Sequence, residues 1–207
     1  MSHAVGPVIH VAIETSRGRA ALRDLVAEDI DHIVAYLHDE RDEHLNSLID
    51  RKRLGTPEDT RRRFLTAVRT GRADQRHIAF AITVDGQFAG FTSLVRHAPQ
   101  DNFSHWHVSD RRLRAGGLST TVYPRRIQLY FDLFPIDRLI HQTKTRNIGV
   151  NRMLDKYVPV AETRYIEWPD GAASADEFHL RYVFRDDIPR LLAIAGGLSR
   201  HRGGDGE

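Results

Sequence analysis

Apolar residues recur along the chain at two spacings, one suited to strands and one to helices, and their order predicts a mixed α/β domain. A short strand runs from about Ala20 to Leu25. Glu28 and Asp29 then suit a helix's first turn, and Ile30, Ile33, Val34 and Leu37 follow at helical spacing. A second helix opens at Gly55-Thr56-Pro57-Glu58, with Thr56 as N-cap and Pro57 at the first helical position. Phe64, Leu65 and Val68 form its apolar side and Gly71 ends it. His77 to Val84 alternates, Asp85-Gly86 makes a hairpin turn, and Gln87 to Val95 returns as the partner strand. Phe103 to Val108 is a third strand of the set. A loop from Ser109 to Gly117 leads into a helix over Ser119 to Phe134. Arg138 to Thr145 is a strand, Asn147 to Lys156 a short helix, and Glu162 to Trp168 and Phe178 to Phe184 a last pair of strands. Consecutive antiparallel strands before the next helix exclude a doubly wound sheet. Residues 1–16 read as an N-terminal leader, 17–195 as the domain and the glycine-rich 196–207 as a flexible tail.

Composition narrows the classes of function. The chain has 207 residues, 41% hydrophobic and 28% charged, an ordinary soluble balance. No apolar run approaches the ~20 residues of a spanning helix, so no membrane association is expected. With no cysteine there is no disulfide, thiol nucleophile or thiolate metal site. A net charge of +2 is too small for a dedicated nucleic-acid binder. Met1 to His10 lacks the features of a signal peptide, so the expected compartment is the cytoplasm.

The charge is unevenly spread. Arg51-Lys52-Arg53 and Arg61-Arg62-Arg63 read as solvated faces. Arg111, Arg112 and Arg114 sit beside glycines, in a loop between a strand and a helix, and that changes their reading. Glycines let backbone amides converge, and the helix start adds unpaired N–H groups and the positive end of its dipole. The pair Gly116-Gly117 followed by Ser119 therefore suits a phosphate or pyrophosphate. The Lys-Ser/Thr of a Walker loop is absent, as is GxGxxG.

Three stretches together resemble the GNAT superfamily of N-acetyltransferases, and within it the branch of ribosomal-protein N-terminal acetyltransferases. RAALRDLVAEDIDHI is similar to that branch's opening pattern. HWHVSDRRLRAGGLST resembles the acetyl-CoA strand and its Arg/Gln-x-x-Gly-x-Gly/Ala loop, and RLIHQTKTRNIGVNRMLDKYVPV resembles the late strand–Asn–helix segment. The likeness spans about Arg19 to Phe184. It implies a single domain with a central, mostly antiparallel twisted sheet flanked by helices, and a splayed strand pair that binds acyl-CoA. It implies acetyl-CoA as co-substrate, with no metal, held by Val108, Arg114, Ala115, Gly116, Gly117, Leu118 and Ser119, and by Asn147 and Asn151. The sequence departs from the pattern at Ser119, where glycine or alanine is usual, and at Leu154, where many relatives carry the tyrosine that protonates the leaving thiolate.

Amide formation from a thioester needs a neutral amine, donors aimed at the developing oxyanion, and a proton for the thiolate. The resemblance places the backbone donor near His107 or Val108. Histidine suits a base near neutral pH. His105 and His107 share one face of their strand, and His141 lies on the next, so these three are candidate bases, with Asn147 ordering water or contacting CoA. His105-x-His107 also has the spacing of a metal pair, without any familiar metalloenzyme motif. The stretch His38 to His44 reads as a solvated helix end; the resemblance implies that the first helices border the acceptor pocket, where its acids, Asp42 and Glu43 among them, would receive a cationic amine. The acceptor expected is a small-molecule or peptide amine: a protein N-terminus, a small amine, an aminoglycoside or an amino acid. Rival readings are a longer acyl-CoA or an acyl carrier protein as donor, the latter met by the basic blocks, and a GNAT-fold acyl-CoA-binding module with weak or no catalysis. An exposed strand of the final pair offers an edge for a homodimer.

Overall fold

The computed structural model describes residues 7–69, 76–98, 100–114 and 116–201, with 197–201 described by backbone alone. Gly71, Ala115 and the outer parts of the expected leader and tail (1–6 and 202–207) lie outside the described residues.

An eight-stranded sheet forms the centre. Its strands are β1 (Ile9–Thr15), β2 (Gly18–Asp24), β3 (His77–Val84), β4 (Gln87–Ala98), β5 (Asp101–Val108), β6 (Arg138–Lys144), β7 (Glu162–Ile166) and β8 (Asp176–Phe184). They lie in the order β1-β2-β3-β4-β5-β6-β8-β7. Every pairing is antiparallel except β5 with β6. The β3–β4 hairpin turns on Asp85 (φ 50°) and Gly86 (φ 80°), the left-handed pair that matches strand twist in a two-residue turn. Gly90 allows β4 to approach β5 closely, since a Cβ there would lie 2.1 Å from the His107 carbonyl oxygen.

Period-two alternation sends Ile78, Phe80 and Ile82 to one face of the sheet and Ala79 and Ala81 to the other. On the first face lie α5 (Leu118–Leu133), α6 (Ile148–Leu154) and α7 (Ile188–His201), burying Tyr123, Ile127, Tyr130 and Leu154 against Leu94 and Leu139. On the second lie α1 (Asp29–Leu37), the short α2 (Glu43–Leu48) and α3 (Arg51–Leu54), and α4 (Pro57–Arg69). There Ile30, Ile33, Leu37 and Phe64 pack on Ala81 and Phe91. Pro124 lies inside α5, within its first two turns.

Two expectations at the ends need correction. The apolar run assigned to a leader is β1, paired along β2 from Ile9↔Arg23 to Thr15↔Gly18. The segment from residue 196 begins inside a helix, since α7 continues to His201. Its alternation of Leu191 and Ile194 against the core outweighs two adjacent glycines.

The feature that positions the site is the β5–β6 junction. Those strands pair only at Asn102↔Leu139 and Phe103↔Ile140. Beyond, β5 stays on β4 up to Val108, while β6 stays on β8 up to Lys144, so the two diverge into a wedge. No described helix is long and apolar enough to cross a membrane.

Candidate functional site

Strand β5 turns alternate backbone groups toward the wedge. Ser109 N–H donates to the Ala89 carbonyl (2.9 Å), which sets the phase of the β4–β5 ladder. By antiparallel alternation, Phe103, His105 and His107 exchange bonds with β4, whereas Ser104, Trp106 and Val108 turn their N–H and C=O outward. The Val108 carbonyl accepts from Arg114 Nε (3.0 Å), in agreement with that phase. Of the two positions expected to donate to an oxyanion, Val108 faces the wedge and His107 does not.

At the wide end of the wedge, Gly117 takes a left-handed conformation (φ 83°) as N-cap of α5. The N–H groups of the first turn, from Leu118 onward, have no partners inside the helix. The Ser119 hydroxyl accepts from Trp106 Nε1 (2.7 Å), which ties α5 to β5 and keeps its own O–H as a donor beside the backbone N–H. Over Gly116 lies the guanidinium of Arg17, from the β1–β2 turn: a Cβ on Gly116 would stand 2.3 Å from Arg17 Nε. No sequence pattern marked Arg17; only the sheet order brings that turn beside the loop.

Arg114 is occupied elsewhere. Its Nη2 donates to Asp42 Oδ2 (2.9 Å), and its guanidinium lies 5.8 Å from the centroid of the Tyr36 ring. Asp42 is buried, caps α2 by accepting from Leu45 N–H (3.0 Å), and also faces Arg111. Burial pushes its carboxyl up, but the Leu45 amide and Arg114 outweigh that and hold it below the usual carboxylate range. Asp42 is therefore a structural anion, not a receptor for a cationic amine. A groove of about 760 Å³ opens beside it, lined by Tyr36, Phe88, Glu40 and Asp110 among others.

The three candidate histidines fall on two faces. His105 and His107 turn toward α1–α4, while His141 turns toward α5. His141 is buried, its Nε2 is hydrogen-bonded to the Tyr123 hydroxyl (2.8 Å), and burial lowers its pKa well below the ordinary value. Its environment keeps it away from an acceptor on the other face. His107 stacks on Phe91 (4.5 Å between centroids) and faces Tyr36 edge-on. Burial, with His105 and Arg114 adding to it, drives its pKa to about 3. It is a packed, neutral ring and a poor base.

His105 stands in a different setting. Its Nε2 lies 2.7 Å from Asp170 Oδ2, and His97 Nε2 lies 2.6 Å from Asp170 Oδ1. Arg76 Nη2 donates to His97 Nδ1 (3.1 Å), so the His97 proton is on Nε2, facing the carboxylate. The Asp170 side chain is 7% exposed. Burial alone would raise its pKa, but the His105 and His97 contacts bring it below the usual carboxylate value. Asp170 N–H donates to Gln142 Oε1 (2.7 Å), on the same face of β6. An anionic Asp170 thus receives His105 Nε2–H and leaves His105 Nδ1 with the ring's lone pair. This pairing was invisible in sequence, since Asp170 lies 65 residues beyond His105 in a loop without a motif.

The asparagines do structural work. Asn147 accepts from Val150 N–H (3.5 Å) and caps α6, a short helix away from His105. Asn151 is saturated: its Oδ1 accepts from Thr143 and Arg181, and its Nδ2 donates to the Lys144 and Thr145 carbonyls. It has no side-chain valence left for CoA. Of the basic blocks, Arg51 donates to the Leu37 and Asp39 carbonyls and Arg53 to the Pro169 and Ala173 carbonyls, so both turn inward. Arg61 and Arg62 pair with Asp31 and Asp59.

Three buried imidazoles, His77, His107 and His141, make stability depend on acid. Burial lowers His77 to about 4 and His107 to about 3. Unfolded, each protonates below roughly pH 6.5, so their contribution is complete above that pH and is lost as pH falls toward the folded values. Urea unfolding should show stability dropping by several kcal/mol, on the order of ~1.4 per pH unit for each ring, between about pH 6.5 and 4. A His77→Phe, His107→Phe double variant should reduce that slope by the share of these two rings and leave that of His141; an unchanged slope would exclude His77 and His107 as its cause.

No protein-family model matches the chain, and no curated protein matches it in sequence. Solved structures do match in fold. RimJ of Mycobacterium smegmatis, in complex with a CoA disulfide, is 15% identical with a TM-score of 0.71, covering 91% of this chain and 97% of that one. The ribosomal-protein-S5-alanine acetyltransferase of Vibrio fischeri is 17% identical with a TM-score of 0.66, covering 86% and 98%. The aminoglycoside acetyltransferase AAC(6')-Ib, in complex with coenzyme A, is 15% identical with a TM-score of 0.64, covering 83% and 98%. At TM-scores of 0.64–0.71 over most of both chains, these likenesses show the fold: the chain has the fold of the GNAT acetyltransferases.

Proposed function

We propose that the chain is an acetyl-CoA-dependent N-acetyltransferase that passes the acetyl group directly to a primary amine in a ternary complex. The observation that carries this reading is the β5–β6 wedge, with the free α5 amides and Arg17 at its wide end and the His105–Asp170 pair on the face opposite α5. The pantetheine arm pairs with the outward groups of β5, its pyrophosphate meets the α5 start, and Arg17 supplies the cation that Arg114, engaged with Asp42, does not. Val108 N–H or Trp106 N–H receives the oxyanion. The amine nitrogen attacks the thioester carbon while His105 Nδ1 takes its proton; the C–N bond forms, the C–S bond breaks, and one proton is returned to convert the thiolate to the thiol. The acceptor approaches from the α1–α4 face, past the groove beside Tyr36. Neighbours of this fold named for a ribosomal protein, an aminoglycoside and spermidine support an amine acceptor as a class.

Thermal unfolding with excess acetyl-CoA, followed by an amine screen for CoA release, tests this. At a hundred times its Kd the ligand stabilises the fold by about 2.7 kcal/mol. Arg17→Ala should raise the acetyl-CoA Kd about fivefold, the worth of one charge-assisted contact at an open site. Arg114→Ala should leave Kd within about twofold yet lower stability by about 1–3 kcal/mol, because Asp42 loses its nearest cation in a buried position. Equal losses of acetyl-CoA affinity in both variants would return Arg114 to the pyrophosphate. Binding without CoA release from any amine would reduce the chain to an acyl-CoA-binding module.

A further inference from the structure

The Asp170 carboxylate orients His105, yet Asp170 belongs to a connection between β7 and β8 rather than to a strand or helix. Its placement must come from somewhere. Asp170 N–H is held by Gln142, but the turn that follows needs its own support, because Gly171 takes a left-handed conformation (φ 67°) directly against the His105 ring. The side-chain part of that support comes from 116 residues before Pro169. Arg53, in α3, donates Nη2 to the Pro169 carbonyl (2.6 Å) and Nη1 to the Ala173 carbonyl (2.7 Å). These carbonyls bracket Asp170, Gly171 and Ala172. The Arg53 guanidinium also lies 6.0 Å from the centroid of the exposed Trp168 ring. Around it, Asp50 N–H donates to the Ala172 carbonyl (2.7 Å), and Ile49 bridges to Ala173.

We infer that Arg53 is a positioning residue for the acetyl-transfer site: its planar fork spans the 169–173 turn and thereby sets the Asp170 carboxylate against His105. This rests on the reading of His105 as the base. Two parallel N–H donors from one rigid plane fix the separation of two carbonyls, which a lysine, with one compact ammonium, does not reproduce. Arg53 touches neither substrate; it acts through the turn. The block Arg51-Lys52-Arg53 is thus divided in role, with Arg51 holding the carbonyls that follow α1 and Arg53 holding the turn that carries Asp170.

The test compares wild type, Arg53→Lys and Arg53→Ala by long-range proton–nitrogen NMR of the imidazoles and by acetyl-transfer kinetics. In the wild type His105 should be the Nε2–H tautomer. In Arg53→Ala it should become a mixture of tautomers, with kcat lowered about tenfold and KM for acetyl-CoA unchanged. Arg53→Lys should fall between, and it also serves if Arg53→Ala does not fold. A single Nε2–H tautomer and undiminished kcat in a folded Arg53 variant would overturn the inference. If the wild type transfers acetyl to no amine, the proposed activity fails, while the tautomer comparison still decides whether Arg53 orients the pair.

Discussion

Replacing His105 with alanine should lower kcat by about 10²–10⁴-fold and leave the acetyl-CoA Kd within about twofold. The range is that of a positioned general base acting on an amine that is mostly protonated at neutral pH. Donor affinity is spared because His105 points to the face opposite α5, while the α5 amides and Arg17 lie at the far end of the wedge. Asp170→Asn should reproduce much of the loss: an amide in place of the carboxylate no longer stabilises an imidazolium and turns a donor toward a donor. His107→Phe is the control. With its pKa at about 3, His107 stays uncharged throughout the working range, and its ring stacks on Phe91 as a phenylalanine would. That variant should keep kcat within about threefold and the same pH–rate profile. Steady-state kinetics with a fluorescent thiol probe for released CoA, together with calorimetric acetyl-CoA titrations, read all three. A His105→Ala enzyme with wild-type kcat would mean that the amine deprotonates before binding and that the pair with Asp170 is structural.

The contrast between these two histidines shows where sequence reasoning stopped. Period-two alternation put both on one face correctly, and the strand, hairpin and helix boundaries from His77 to Leu154 follow from the same alternation and from turn residues such as Asp85-Gly86. Function at a shared face depends on what covers each position. Phe91 and Tyr36 cover His107; Asp170 meets His105, from a loop more than sixty residues away. No local pattern encodes that meeting, because it arises when α3 and the β7–β8 connection pack together. Arg114 shows the same limit. Its place in a glycine loop suggested a phosphate, but Asp42, 72 residues earlier, claims it. Conversely, Arg17 had no motif around it and acquires meaning only because β1 and β2 place their turn over Gly116. Backbone features therefore survived the passage to three dimensions: the loop, the α5 start and the outward N–H groups of β5. Side-chain roles were the part that tertiary contacts reassigned. The edge strand β1 and the helix α7 were hidden for a related reason, since Ile9 and Val11 or Leu191 and Ile194 find partners only once the sheet and α5 exist.

Asn151 is the sharpest case of reassignment, and its replacement should be the most damaging to stability. Its side chain makes four hydrogen bonds: from Thr143 Oγ1 (2.8 Å) and Arg181 Nη1 (2.9 Å), and to the Lys144 (2.9 Å) and Thr145 (3.1 Å) carbonyls. Arg181 is 0% exposed, and its Nε has no hydrogen-bond partner among the described residues. Its other anchors are the Thr143 hydroxyl, 3.0 Å from Nη1, and Asp155, 2.6 Å from Nη2 at a largely exposed position. Asn151→Leu preserves volume and removes all four bonds, leaving a buried guanidinium with Thr143 as its neutral neighbour and the Thr145 carbonyl without its donor, while the Lys144 carbonyl keeps Asn147 N–H. Removing one partner from a buried charged network costs about 3–5 kcal/mol. Against a total stability of about 5–15 kcal/mol that is a large share, and it corresponds to a Tm lowered by roughly 6–20 °C. Asn151→Asp should cost less, because a carboxylate still accepts from Arg181, and of the two carbonyls only that of Thr145 is left without a donor. Both variants, measured well below their Tm, should bind acetyl-CoA with Kd within about twofold of wild type. A Kd raised tenfold or more at unchanged Tm would instead place Asn151 in contact with the co-substrate, and the network around Arg181 would then need another source of support.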